Sequence, residues 1–376
     1  MPRRAFLALL PLAACSRRPQ APAAQESGVP VDLVAGLEMQ IPSLMAAARV
    51  PGLSIAIVKN AALVWSRGFG VTNAGANAPV DADTVFEAGS VSKTVFAYAV
   101  MKLCEKKILD LDTPLTKYVS ERWLPDPRFD QMTARHVLSH TTGLPNWRSK
   151  EDPLRVQFTP GSKWHYSGEG YSFLQLVVAH LTGRVDEHRC EKMLDGLEVC
   201  ATDFEEYMKA NLLRPLGMSS SGYAWNDALA PRVAWAHDKD GKPINRPHAT
   251  PFSAARYGAA GNLSTTANDY ARFIIEVIDP RTNDRCCLTR ASRDEMIRPQ
   301  VKVDDSTSWA LGWAILHDKR GTLISHSGDN PGFKAFMLAS VERKSGYVMF
   351  TNSDSGFDVM GKLINGDTPL NMFVRA

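Results

Sequence analysis

Strand patterns at the two far ends of this chain, with a helical stretch between them, restrict its fold more than any other feature. Near the start, residues 50–67 read as a hairpin: PGLSIAIVKN and AALVWSR are rich in β-branched and aromatic residues, with Lys59-Asn60 near the turn. Near the end, 322–326, 333–341 and 347–352 are strand candidates, the last two joined by a polar turn at 342–346. Strands this close in sequence should pair antiparallel. In between, Phe96, Ala99, Val100 and Leu103 recur at helical spacing, with Lys102, Glu105 and Lys106 on the other face. Residues 171–181 and 269–278 also read as helices. The expectation is an α+β fold of the α/β sandwich type, with helices flanking an antiparallel sheet of N- and C-terminal strands. A mostly helical subdomain is inserted at about 105–255, within a domain spanning 32–376.

The 376 residues are 44% hydrophobic and 22% charged, an ordinary globular composition. Past the leader, no apolar run reaches the ~18 residues of a membrane-spanning helix. Lys plus Arg number 43 against 40 Asp plus Glu. Two of the cations, Arg3 and Arg4, lie in a segment read below as removed, so the mature charge is close to neutral. With no Lys/Arg run to compensate, nucleic acid is excluded as a partner.

Residues 1–14, MPRRAFLALLPLAA, have a positive start and a short apolar stretch, the layout of a signal peptide. Leu12-Ala13-Ala14-Cys15 resembles a bacterial lipobox, which implies cleavage before Cys15 and lipid on its sulfur. Arg3-Arg4-Ala5-Phe6-Leu7 also resembles a twin-arginine export signal. Residues 15–31 then hold the lipidated cysteine and a Pro- and Ala-rich tether without apolar periodicity. The same resemblance implies, from Ser16 rather than an aspartate after the cysteine, the outer membrane. The expected location is the periplasm of a Gram-negative bacterium, anchored to membrane by lipid, with the chain a monomer.

Export leaves Cys104, Cys190, Cys200, Cys286 and Cys287 in an oxidising compartment. Cys190 and Cys200 could close a small loop, whereas the adjacent Cys286-Cys287 could hardly bridge without strain. No Cys/His spacing suits zinc, and no metal or organic cofactor is expected. Residues 183–200 look like an insertion that forms either a lid or a surface loop.

Common enzyme signatures (GxSxG, HExxH, a Walker loop, GxGxxG after a strand) are missing. What appears is Ser90-Val91-Ser92-Lys93 at the start of the Phe96 helix. Residues three apart on a helix are neighbours, so the Ser90 hydroxyl and Lys93 amine can meet. A helix N-terminus adds free N–H groups and the positive dipole end, which favour a nucleophilic serine and an oxyanion site. Burial there would push a lysine toward its neutral, basic form. Taken alone, the pattern more often means a serine cap followed by a solvated lysine, since about one or two SxxK matches arise by chance at this length.

Further segments change the balance: Trp164-His165-Tyr166-Ser167-Gly168, then Ser325-His326-Ser327-Gly328 at a strand end. They are framed by TARHVLSHTTGLPNW (133–147) and AAGNLSTTANDYARF (259–273). In this order, over residues 52 to 352, the chain resembles the serine β-lactamase and penicillin-binding protein superfamily. The resemblance is to the branch of class C β-lactamases, D-alanyl-D-alanine carboxypeptidases and related esterases. It implies that Ser90 is acylated, that Lys93 is its proton partner and that Tyr166 moves protons among nucleophile, water and leaving group. His326-Ser327-Gly328 falls where many members have Lys-Thr-Gly, so this strand edge would bind substrate. The N–H of Asp329 would join that of Ser90 in the oxyanion hole.

Two departures from the family pattern bear on substrate. Where many relatives place an asparagine that contacts the substrate amide, this chain has Gly168, so amides and esters should be discriminated less. His326 replaces a lysine and weakens the positive charge facing a substrate carboxylate. The expected activity is therefore that of an exported serine hydrolase, an esterase or a D-alanyl-D-alanine carboxypeptidase. Its substrate would be a small molecule or a peptidoglycan-peptide-like compound. The alternatives are a class C-like β-lactamase and a penicillin-recognising sensor or scaffold with little turnover.

Overall fold

Strands from the two ends of the chain lie side by side. The computed structural model describes residues 30–183, 197–224, 227, 229–246, 251–281, 287–318, 321–365 and 368–375. In chain order the helices are α1 (Val31–Ala48), α2 (Ser92–Glu105), α3 (Ala134–Leu138), α4 (Gly168–Thr182) and α5 (Leu197–Met208). They continue with α6 (Pro251–Gly261), α7 (Ala267–Ile278), α8 (Arg290–Ile297), α9 (Gly356–Ile364) and α10 (Pro369–Arg375). The strands are β1 (Gly52–Lys59), β2 (Ala62–Gly70), β3 (Phe86–Glu87), β4 (Ser264–Thr265) and β5 (Val301–Lys302). Last come β6 (Thr307–Trp309), β7 (Ala314–Asp318), β8 (Gly321–Asn330), β9 (Phe333–Ser340) and β10 (Ser345–Thr351).

Eight of these strands form one antiparallel sheet in the order β2-β1-β10-β9-β8-β7-β6-β5. Leu53 lies opposite Thr351 and Val58 opposite Gly346, so the sheet joins the two termini as the strand patterns require. Strands β3 and β4 pair separately. The fold is the expected helix-flanked antiparallel sheet. The stretch 105–255 contributes α3, α4, α5 and the start of α6, and no strand of the large sheet among the described residues.

Both faces of the sheet are covered, so β1 reads as a continuous apolar run rather than an alternating one. Leu53, Ile55 and Ile57 join Tyr347 and Met349 in a core under α1, α9 and α10. Ala56, Val58, Val348 and Phe350 face the other way, against α7. Helices α1, α9 and α10 are additions to the elements read from sequence. Leu33, Leu37, Ile41 and Met45, spaced four apart, seat α1 on the sheet. Helix α2 is buried from Ser92 to Leu103 and packs against α6 and α8.

The leader, Cys15 and the tether through residue 29 lie outside the described residues, as do residues 184–196, Cys286 and the side-chain pairing of Cys190 and Cys200. No described helix is long and apolar enough to cross a membrane.

The β1–β2 hairpin turns through Asn60 and Ala61, at φ of 50° and 54°. Two successive left-handed residues match the twist of the flanking strands. Asparagine tolerates this conformation, but alanine has a Cβ that opposes it. Ala61→Gly is expected to raise stability by about 0.5–1 kcal/mol, net of the added unfolded-chain entropy. A shift of the urea midpoint to higher concentration at constant slope checks it; no shift would mean that the turn is unstrained.

Candidate active site

A single 3-10 turn, Gly89–Val91, precedes α2 and carries Ser90. Side chains lock that turn in place. Ser92 Oγ donates to the Gly89 carbonyl at 2.6 Å and accepts the Leu263 N–H at 3.0 Å. Thr94 Oγ1 donates to the Val91 carbonyl at 2.8 Å. Ser90 is left partly exposed at the positive end of the α2 dipole.

One turn further on, Lys93 has no exposure to solvent at all. Its Nζ lies 3.1 Å from Ser90 Oγ and donates to the Ala260 carbonyl, in the last turn of α6, at 2.6 Å. The amine faces the rings of Tyr166 and Tyr171, 4.9 and 5.4 Å from their centroids. Removal from water lowers its pKa from 10.5 to about 7. Near neutral pH the amine is thus partly unprotonated and able to take a proton from Ser90. The Tyr166 hydroxyl is hydrogen-bonded to Ser90, and burial holds its pKa above the usual range, so it stays a phenol. Ser90 and Lys93, one helical turn apart, meet Tyr166 from a distant segment at one point.

The third segment arrives along β8. Its ladder with β7 ends at Ser325 opposite Ala314, whereas pairing with β9 continues to Asn330. His326 to Asp329 therefore present an edge without a β7 partner. Gly89 has φ of +53°, and a Cβ there would sit 2.7 Å from the Asp329 nitrogen. A Cβ on Gly328 would overlap the Ala88 carbonyl. Only glycine at both places lets the serine turn and the strand end touch backbone to backbone. The Asp329 side chain points outward, paired with Lys334 at 2.9 Å, and Ser327 is exposed.

His326 is 3% exposed, and burial beside Lys93 lowers its pKa to about 3. Its Nδ1 lies 2.7 Å from the Ser327 carbonyl, which can only accept, so Nδ1 carries the proton and Nε2 is a bare acceptor. The imidazole is neutral and offers no fixed positive charge.

Sequence reasoning missed the packing behind Tyr166. His140 lies 4.1 Å from the Tyr166 ring, centroid to centroid. It accepts the Ser167 N–H at Nδ1 (3.1 Å), which orients the tyrosine segment. Trp309 closes the box, with its ring 5.8 Å from Tyr166, 5.0 Å from His140 and 5.4 Å from His326. His140 stands in the framing stretch 133–147, but nothing local marks its partner; Trp309 comes from β6 and carries no motif.

The space at Gly168 is not open, contrary to what a missing side chain suggests. A Cβ there would come within 2.7 Å of Trp147 Cζ3 and closer still to Cη2 and Cζ2. The indole fills the place, so an asparagine cannot simply be added at 168.

Comparison with known proteins gives the family and the fold. The Beta-lactamase family model matches residues 38–364, and the chain belongs to that family, one of serine hydrolases. A penicillin-binding protein of Bacillus subtilis (strain 168) is 22% identical over 326 residues, covering 78% of this chain and 66% of its own length. Protein flp of Staphylococcus aureus (strain MRSA252) is 20% identical over 82% of this chain and 60% of its own. The chain thus spans less than two thirds of these relatives. An octameric penicillin-binding protein homologue from Pyrococcus abyssi superposes with a TM-score of 0.71 at 26% identity, over 88% of this chain and 76% of that one. A class C beta-lactamase shares the fold, with a TM-score of 0.72 at 19% identity over 90% and 97% of the two chains.

Holding Lys93 near 7 is a cost to the fold. A depressed lysine pKa means that stability is lost as pH falls from about 10.5 toward 7, at about 1.4 kcal/mol per unit. Lys93→Met, which fills the same space without a charge, is expected to raise the melting temperature at pH 7 by several degrees while abolishing acylation of Ser90. A melting scan decides; an unchanged or lower value would mean that the amine is solvated.

Proposed function

We propose that this chain is an exported, lipid-anchored serine hydrolase acting through an acyl-enzyme on Ser90, with an ester or a D-amino-acid amide as substrate. The observation that carries the reading is the contact of Ser90 Oγ with a fully buried Lys93, 3.1 Å away, whose pKa is lowered to about 7. A lysine that stayed charged could not take the serine's proton.

In the first step Ser90 Oγ attacks the carbonyl carbon and passes its proton to Lys93 Nζ. The N–H groups of Ser90 and Asp329 hold the developing oxyanion. Tyr166, hydrogen-bonded to Ser90, relays a proton from Lys93 to the leaving group. Water then attacks the acyl-enzyme, giving its proton back through the same pair as Ser90 leaves. The free edge of β8 at 326–329 binds the substrate backbone or carbonyl. A neutral His326 gives no ionic partner to a carboxylate, which favours esters over carboxylate-bearing β-lactams and peptides.

The test is intact mass of the anchor-free protein after brief exposure to a fluorophosphonate, a penicillin and a short-chain ester, with Ser90→Ala alongside. A Ser90-dependent adduct with ester turnover and a persistent penicilloyl mass is expected. Rapid loss of that mass would make the protein a β-lactamase, and no adduct from any reagent would overturn the hydrolase reading. On the acid side, kcat/KM should rise with pH through an apparent pKa near 7 and level off above it. A profile flat from pH 5 to 9 would exclude Lys93 as the base. Ser90, Lys93 and Tyr166 act as a unit, so losses in double variants should fall well short of the sum.

Export and anchoring rest on the leader and Cys15. Cys15→Ser is expected to release the protein from the membrane fraction; retention there would sink the lipid anchor.

A further inference from the structure

Trp147 is 39% exposed, and yet both of its chain neighbours are hydrogen-bonded in place. On its N-terminal side, the Asn146 side-chain and backbone oxygens both accept the Gly168 N–H, each at 3.0 Å. The Asn146 carbonyl also accepts the Glu169 N–H at 3.0 Å. On its C-terminal side, Arg148 donates its backbone N–H and its guanidinium to the Glu169 carboxylate, at 2.9, 2.9 and 2.6 Å. That carboxylate is 1% exposed and takes a second arginine, Arg256, at 3.3 Å. The indole itself stands on Gly168 and meets Tyr257 edge to face at 5.1 Å.

Fixing both neighbours of a side chain through a buried carboxylate and two arginines is an elaborate way to hold a ring two-fifths open to solvent. Burial of apolar surface accounts for it only in part, because two-fifths of the residue stays open to solvent. A rigid, amphipathic ring with a free face is what recognition of an apolar group uses, since little freedom is lost when the partner docks. Position agrees. Gly168 is two residues beyond Tyr166, and Tyr257 is three residues before Ala260, whose carbonyl holds Lys93. The ring pair is therefore seated against the segments that carry Tyr166 and the Lys93 acceptor.

We propose that Trp147, seated on Gly168 and braced by Tyr257, is the specificity-determining residue of this site, and that its substrate is an ester bearing a flat apolar group, an aryl ring above all, which packs on that pair. The proposal rests on the reading of Ser90 as the acylated nucleophile of an ester hydrolase.

The experiment uses two series of esters with the intact folded domain: ethyl esters whose acyl group is acetyl or phenylacetyl, and acetate esters whose alcohol is ethyl or benzyl. Rates are normalised to Ser90 sites titrated by fluorophosphonate, and every variant is melted to confirm folding. The native protein is expected to prefer the aryl member of at least one series by about tenfold or more in kcat/KM, and that series identifies which half of the ester carries the ring. Trp147→Ala should erase the preference, chiefly through KM, and Trp147→Phe should keep most of it.

Gly168→Ala supplies the independent check. Its added methyl evicts the indole, so it should lose the preference as Trp147→Ala does and melt lower. In the Trp147→Ala background the same change should cost nothing further, because the clash is gone and alanine is the better helix former. Absence of aryl preference in both series, or a preference that survives both variants, would overturn the proposal while leaving Ser90 chemistry intact. Failure of Ser90 to take any acyl group would instead overturn the underlying hydrolase reading.

Discussion

A lysine amine sealed from water organises this molecule. Lys93 has the Ser90 hydroxyl, the Ala260 carbonyl and two tyrosine rings around it. Each comes from a different part of the chain: the turn before α2, the last turn of α6, the segment ahead of α4, and α4 itself. Enclosure lowers the proton affinity of the amine, and that lowered affinity makes a nearby serine useful. A looser fold would hydrate the amine, return it to its charged form and remove its basicity. The site therefore needs the tight packing around α2, and cannot be lifted onto a surface helix.

Backbone proximity is the second requirement. The nucleophile turn and the end of β8 touch at Gly89 and Gly328, where any side chain would collide with main chain. The early end of the β7–β8 ladder leaves the same edge open. These two features create an entry for substrate beside Ser90. Around it the side chains are neutral or apolar: His326 uncharged by burial, and Trp309 and His140 packed behind Tyr166. The charges nearby are consumed in structure, Glu169 with its two arginines and Lys334 with Asp329.

Much of this was legible in the residues. The hairpin at 52–70 and the strands at 321–351 follow from β-branched runs and turn residues, and α2, α4 and α7 from their periodicity. Ser90 and Lys93 were legible because three-residue spacing is a local matter. Helix α1 shows its apolar residues every fourth position, but beside a Pro/Ala-rich tether that pattern is easily passed over. Strands β5, β6 and β7 are two to five residues long, too short to carry a period of their own.

Gly168 marks the limit. A glycine in sequence states only that no side chain is attached; whether the space is empty depends on what lies across from it, and here Trp147 does. Likewise the sequence names a histidine at 326 but not its charge, which burial beside Lys93 sets. By itself the sequence determined the terminal strands and the helices at the site, the local pairing of nucleophile with lysine, and the family. Only the tertiary structure decided which amine is dry, which edge is open and which ring fills the space at Gly168, because solvation and occupied volume arise from distant segments brought into contact.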